Sequence, residues 1–300
     1  TVDIALEEEI TSKKELIRDL PGERIKMELD RILLSPRPGM GMRSLYELGL
    51  LLVLIPELKG LETLGQNRHH HLRVLPHILL MIDKVPWAEE WLVQNEMVVP
   101  LSPEDRLVLL YASLFHDLGK QDTYTQDEEG KIHFYHHETF SCERAERIME
   151  RLKFSNWMRN RILHLIRHHM RILNLSSETK DSALKRLVNL MGEEAPLLVL
   201  HTLADKEASR GILSIQVDEI VERNCLRILQ FFGQQEIVRP PALITGHDVI
   251  ALGIPEGPEV GRLIHFLREK QIEGKVKTRE EALEELAKRV KEGERKDGRK

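Results

Sequence analysis

The sequence predicts an all-α protein. Apolar residues recur at three- and four-residue spacing through most of the chain, and pairs such as Pro21-Gly22 and Pro38-Gly39 punctuate those periodic stretches. The composition agrees, with 41% hydrophobic residues of which few are aromatic, as expected for a soluble, mostly helical chain.

Taken in order, Ile4, Leu6, Ile10, Leu16, Ile17 and Leu20, then Ile25, Leu29, Ile32 and Leu33, predict two helices broken at Pro21-Gly22. Ser35-Pro36-Arg37-Pro38-Gly39 cannot continue a helix, and another is expected from Ser44 to about Leu54, before Pro56. A helix from about His69 to Lys84 carries Leu72, Leu75, Leu79 and Ile82 on one face and Val74, His77 and Met81 on the other, so His77 falls on a second buried face. The short internal run His69-His70-His71 has the composition of a metal-binding tract.

Asp105 to Lys120, DRLVLLYASLFHDLGK, is apolar nearly all round and belongs in the middle of a domain. It ends in the adjacent pair His116-Asp117, with Gly119 expected as the helix stop and Lys120 as a cation just beyond. Gln121 to Lys131 is polar and reads as a hairpin or loop. His137 then stands at the entrance of a helix from Glu138 to Leu152. Asn156 is expected to cap the next helix, Trp157 to Met170, in which Met158, Ile162, Leu165, Ile166 and His169 share one stripe while His164 and His168 lie on the neighbouring face with Arg161.

Ala183 to Met191 is a further helix, and Pro196 opens the apolar run LLVLHTLADKEASR. Asp205, one turn after His201, is expensive to bury there unless a cation or donor meets it. A long amphipathic helix is expected from Ile212 to Phe232, ended by Pro240-Pro241. Two more amphipathic helices follow, and residues 291 to 300 are expected to be disordered. The organisation expected is a helical segment over 1–62, a central domain over 63–235 and a C-terminal helical segment over 236–300.

Charge and cysteine content narrow the function. A net charge of -5 gives no global attraction for nucleic acid, so RNA contact would need a local basic face. The basic stretch is Arg144, Arg147, Arg151, Arg159, Arg161 and Arg167, which reads either as a phosphate-backbone contact or as a solvated face with pairs such as Glu143-Arg147. Cys142 and Cys225, far apart, exclude a disulfide scaffold and a cysteine-rich zinc pattern and fit a reducing, cytoplasmic setting. The longest apolar run, Leu50 to Ile55, is far short of the roughly 20 residues of a membrane span.

His77, His116, Asp117, His137, His169 and Asp205 each sit at a helix end or on an inner stripe, where separate helices can converge. This nitrogen and oxygen set suits a divalent metal: manganese, iron, nickel, cobalt, zinc or magnesium. His77, His116, Asp117 and Asp205 would hold one ion, and adding His137 and His169 makes room for a second, with Asp117 as the bridge.

A histidine, a His-Asp pair and a distal aspartate, with FHDLGK as the local motif, resemble the HD superfamily of metal-dependent phosphohydrolases. The stretches ERIKMELDRILLSP (23–36), LYELGLLLVLIPEL (45–58) and ITGHDVIALGIPEGPEVGRLIHFLREKQIEGKVKTREEAL (from Ile244) resemble the RNA-binding body of bacterial tRNA nucleotidyltransferases, the CCA-adding and poly(A) polymerase family. No Gly-Ser followed by a paired Asp-x-Asp occurs, so that family's polymerase head is not expected among these 300 residues. The resemblance implies an HD helical bundle flanked by body segments. It also implies metal-assisted hydrolysis of a phosphoester on a nucleotide or RNA 3' end. Asp117 would orient the nucleophile, Lys120 would stabilise phosphoryl charge, and His136 or His168 would protonate the leaving oxygen. The alternative is a tRNA-binding body whose HD domain is catalytically inert.

Overall fold

The computed structural model describes residues 3–66, 72–209, 215–234 and 240–297. They are mostly helical, with a single two-stranded antiparallel hairpin among them. The chain divides into two compact units, Thr1–Ser177 with Pro196–Leu226, and Glu178–Ala195 with Arg227–Lys300.

The first unit opens with α1 (Ile4–Lys13), α2 (Gly22–Leu33), α3 (Pro38–Glu47) and α4 (Leu51–Leu54). The helix expected from Ser44 to Leu54 is two helices instead. Pro38, with its φ already suited to a first turn, starts α3 early, and Gly49 at φ 70° breaks the chain before α4. Contacts cross the boundary expected near residue 62. Leu29 and Leu33 of α2 are buried, and Tyr111 Oη, from a helix well beyond that boundary, donates to Asp30 Oδ1 at 2.7 Å.

Next come α5 (Val74–Gln94) and α6 (Pro103–Phe115). The sequence reading ended the first of these near Lys84, but α5 runs through Pro86 to Gln94. Val85, Ala88 and Leu92 continue its buried stripe, and that burial outweighs the roughly 3 kcal/mol an interior proline costs. The His69–His71 run, where this helix was expected to begin, lies outside the described residues.

Ser102 caps α6 with a reciprocal box: its Oγ accepts from Asp105 N at 3.1 Å, and Asp105 Oδ2 accepts from Ser102 N. Every residue from Leu107 to Phe115 is buried, as the all-round apolar pattern requires. A short α7 (Lys120–Thr123) leads into β1 (Tyr124–Gln126) and β2 (Ile132–Phe134), paired with Thr125 opposite His133. The polar 121–131 stretch is therefore a hairpin.

Then α8 (His137–Arg151), α9 (Asn156–His168) and α10 (Met170–Leu173) follow. Ser155, not Asn156, caps α9, its Oγ accepting from Met158 N. Two helices follow later in the chain, α12 (Ala195–Ser209) and α13 (Ile215–Phe232); residues 212–214, where the latter was expected to begin, lie outside the described set.

The second unit contains α11 (Asp181–Met191), α14 (Gly246–Ala251), α15 (Pro258–Ile272) and α16 (Arg279–Asp297). Its core is Ile244, Val249, Leu263, Leu267, Val276, Ala282 and Leu286. Arg186 pairs with Glu273 at 2.5 Å, and Arg279 pairs with Asp248. Residues 291–297 were expected to be disordered; α16 continues through them. Once a helix is nucleated, each further residue adds a backbone hydrogen bond.

Candidate metal centre

The centre is built where α6 ends. Residues 107–115 lock α6 in the core, so His116, its C-cap, and Asp117 emerge from a fixed helix end and are themselves buried. Gly119 follows with an ordinary φ of -77°, so it is not the left-handed stop the sequence suggested. Its role is space. A Cβ there would lie 2.2 Å from His137 O and 2.6 Å from Ser141 N. The start of α8 therefore rests directly on the 119 backbone, and Ser141 Oγ accepts from Gly119 N at 2.8 Å. That contact brings His137, the first residue of α8, up to Asp117.

Two triads result, both fully buried. His77, His116 and Asp205 form one, and Asp117, His137 and His169 the other; in each, the candidate donor atoms lie within 4.8 Å of one another. Asp117 faces both. Its Oδ2 lies 3.3 Å from His116 Nε2 and its Oδ1 3.3 Å from His137 Nε2. Asp205 Oδ1 lies 2.9 Å from His77 Nε2 and 4.0 Å from His116 Nε2.

The tautomers follow from the backbone. The Nδ1–H groups of His116, His137 and His169 donate to the carbonyls of Ser113, Phe134 and Ile166 at 2.9, 2.9 and 2.7 Å. A carbonyl can only accept, so each neutral ring turns an Nε2 lone pair inward. His137 Nε2 and His169 Nε2 then face each other at 3.1 Å as two acceptors with no proton between them. Lone pairs aimed at one another and at carboxylates, out of water, call for a cation. The donors fit a divalent metal in number, type and orientation.

Electrostatics agree. Burial alone would raise Asp117, but His116 and Lys120 beside it hold its carboxyl well below 3.8. Asp205 is likewise depressed, burial being outweighed by its hydrogen bond to His77 and by that ring's charge. Burial would lower His116, and the carboxylates of Asp117 and Asp205 more than offset it, so its pKa lies above 6.5. Burial and the neighbouring rings of His137 and His116 push His169 well below 6.5.

Lys120 is buried, with Nζ 2.7 Å from Asp117 Oδ2, donating to Gln66 Oε1 at 2.6 Å and lying over the Phe134 ring. His136 and His168 do not join the triads. His136 takes a left-handed φ of 59° at the mouth of α8 and leaves its side chain 85% exposed. His168 packs against His164 with ring centroids 4.8 Å apart, and burial, then His164, lower its pKa to about 4. One residue that the sequence reading used only as a landmark belongs here: His201, fully buried with its ring 5.1 Å from that of His116. Its i,i+4 spacing to Asp205 on an apolar helix was the available signal.

The arginine stretch is largely occupied. Arg144 makes a bidentate pair with Asp122, both contacts 2.7 Å, and Arg151 holds Glu57 at 2.5 and 2.9 Å. Arg161 pairs with Asp105 at 2.7 Å and covers the Trp157 ring. Arg159 reaches Glu146 and Glu150 at 3.5 and 3.4 Å, while Arg147 donates to the Glu143 carbonyl.

A helical bundle with a His, His-Asp, Asp set defines an HD-type domain, and residues 68–206 match the family described as HD domain. Residues 1–61 match the family described as "Probable RNA and SrmB- binding site of polymerase A". The chain is 37% identical over 266 residues to a CC-adding tRNA nucleotidyltransferase of Thermus thermophilus, covering 87% of this chain and 55% of that protein. It is 30% identical over 262 residues to an A-adding tRNA nucleotidyltransferase of Deinococcus radiodurans, covering 87% and 56%.

A solved CCA-adding enzyme in an apo form shares the fold, with TM-score 0.51 at 18% identity, over 95% of this chain and 55% of that one. Over the stretch it spans, the chain is similar to tRNA nucleotidyltransferases, with a match to an RNA-binding segment followed by a match to an HD domain. It spans about half the length of the curated relatives it matches. Among the described residues no helix is long and apolar enough to cross a membrane.

Proposed function

We propose that the HD portion is a metal-dependent phosphohydrolase acting on a phosphoester of a nucleotide or RNA 3' end, within a protein that handles tRNA. The supporting observation is the pair of buried triads facing the two oxygens of Asp117, with imidazole lone pairs turned inward. A bound divalent cation supplies Lewis acidity at the phosphoryl group and makes water a stronger nucleophile near neutral pH. His77, His116 and Asp205 would hold one ion and Asp117, His137 and His169 the other.

The chain's own groups supply the rest. Asp117, tied to both triads, fixes their register. Lys120, anchored by Gln66, brings an ammonium beside the Asp117 carboxylate, where it can meet a phosphoryl oxygen. Of the two proton donors expected, His136 remains the candidate for the leaving oxygen. His168, its pKa lowered to about 4, is not in the imidazolium form that a general acid needs at neutral pH.

Metal content of the purified protein, followed by assay on bis(p-nitrophenyl) phosphate and 2',3'-cAMP with added manganese or nickel, tests this reading. Bound metal and metal-dependent turnover are expected; a protein that binds none of these ions and turns over neither substrate rules it out.

The RNA-binding match and the similarity to tRNA nucleotidyltransferases support a second reading, in which this portion grips tRNA and the HD site is inert. It predicts salt-dependent tRNA binding that is the same with and without metal.

A further inference from the structure

His201 stands inside the centre and belongs to neither triad. It is fully buried on α12 one turn before Asp205, edge-on to His116 with centroids at 5.1 Å and tilted 5.8 Å from His169. Among the described residues, neither of its ring nitrogens has a hydrogen-bond partner. A neutral imidazole offers one N–H and one lone pair.

Such a residue is hard to explain as packing. Two polar atoms are removed from water and left unpaired, whereas leucine would fill similar space with neither. Nor does His201 complete a ligand set: it is absent from both groups whose donor atoms lie within 4.8 Å of one another. Its N–H stands beside the two triads without being one of their ligands. A centre built for cations draws oxyanions, and a neutral N–H donor among cation sites suits a phosphoryl oxygen.

We infer that His201 is a substrate-contacting residue that donates its N–H to a non-bridging oxygen of a phosphoryl group bound at the metal centre. This rests on the reading of the centre as a metal-dependent phosphoester site.

The test uses the zinc-loaded protein with inorganic phosphate as probe. Calorimetry is run on wild type, His201→Leu and His201→Gln, with zinc content and thermal midpoint measured for each. His201→Leu is expected to keep its zinc and fold at least as stably, yet bind phosphate about tenfold more weakly, one hydrogen bond's worth. His201→Gln, which keeps a donor, recovers most of that loss. In wild type, the ring 15N resonances of His201 shift when phosphate is added.

Phosphate affinity unchanged in His201→Leu, zinc loss in either variant, or a wild-type protein that binds no phosphate overturns the inference. If neither variant folds, the wild-type 15N titration decides, and unshifted His201 resonances overturn it. Turnover of bis(p-nitrophenyl) phosphate, measured alongside, separates the two readings. Phosphate held through His201 without turnover discards only the hydrolase; turnover with phosphate binding indifferent to His201 discards only the role of His201.

Discussion

Two regions of the first unit carry its conspicuous polar residues, and they use them in opposite ways. Around His116-Asp117 the polar groups are buried, the histidine rings are held through Nδ1 by backbone carbonyls, and their Nε2 atoms are left facing inward. Along α8 and α9 the arginines lie near the surface and meet carboxylates or carbonyls of the same protein. The first arrangement leaves its chemistry for a guest, while the second uses it internally. A buried group whose valence is unspent is thus a better pointer to function here than a run of like charges.

The largest effect expected is at the residue both triads share. Asp117→Ala should remove bound metal and lower phosphodiester hydrolysis by more than about 100-fold, exceeding the loss usual for a residue that only supports a ligand. His137→Ala or His169→Ala should retain one ion. Elemental analysis beside the rate on bis(p-nitrophenyl) phosphate checks both, and an Asp117→Ala protein with full metal and full rate would break the contrast at its centre.

A second prediction concerns pH. The folded-state pKa of His116 is raised above 6.5, so its contribution to metal-free stability is complete below 6.5 and is lost as pH climbs through the raised value. The metal-free protein should therefore melt at lower temperature as pH rises from 6.5. With metal on Nε2 no proton is exchanged there, and the slope should flatten. At the acid end the depressed Asp117 acts in reverse, its contribution present above 3.8 and lost as pH falls toward its folded value. Thermal melts between pH 6 and 8.5, with and without metal, decide the matter; identical slopes contradict it.

The smallest effect sharpens the other side of the comparison. Arg161→Ala should cost about 1 kcal/mol, read by urea unfolding, through loss of its part-buried pair with Asp105. The salt dependence of tRNA binding should not move. A fall of about one in the slope of log affinity against log salt would return Arg161 to the nucleic-acid face.

Helical periodicity made most of the centre's ingredients readable. His77 and His169 share a stripe with apolar neighbours, and a residue on such a stripe must point inward. Local rules failed where the cause lay elsewhere in the chain. Gly119 looked like a helix stop because glycine usually is one there, but the backbone it makes room for lies at 137–141. The solvated-face alternative placed arginine pairing at i,i+3 and i,i+4, as in Glu143-Arg147; Asp122, Asp105 and Glu57 are 22, 56 and 94 positions from theirs. His201 served the sequence reading only as a landmark for Asp205, and its burial without a partner among the described residues is visible only in the structure.

The missing side chain at Gly119 also sets a dimension. With residues 119 and 137 packed backbone against backbone, no side chain lies between the end of α6 and the start of α8, so the backbone spacing from His116-Asp117 to His137 cannot be adjusted by an intervening rotamer. Under the proposed function the centre has a fixed bite, as a rigid chelating ring does, and would sort divalent ions by radius as well as by ligand preference. A methyl group at 119 would act as a shim, opening that bite and moving the selection toward larger ions.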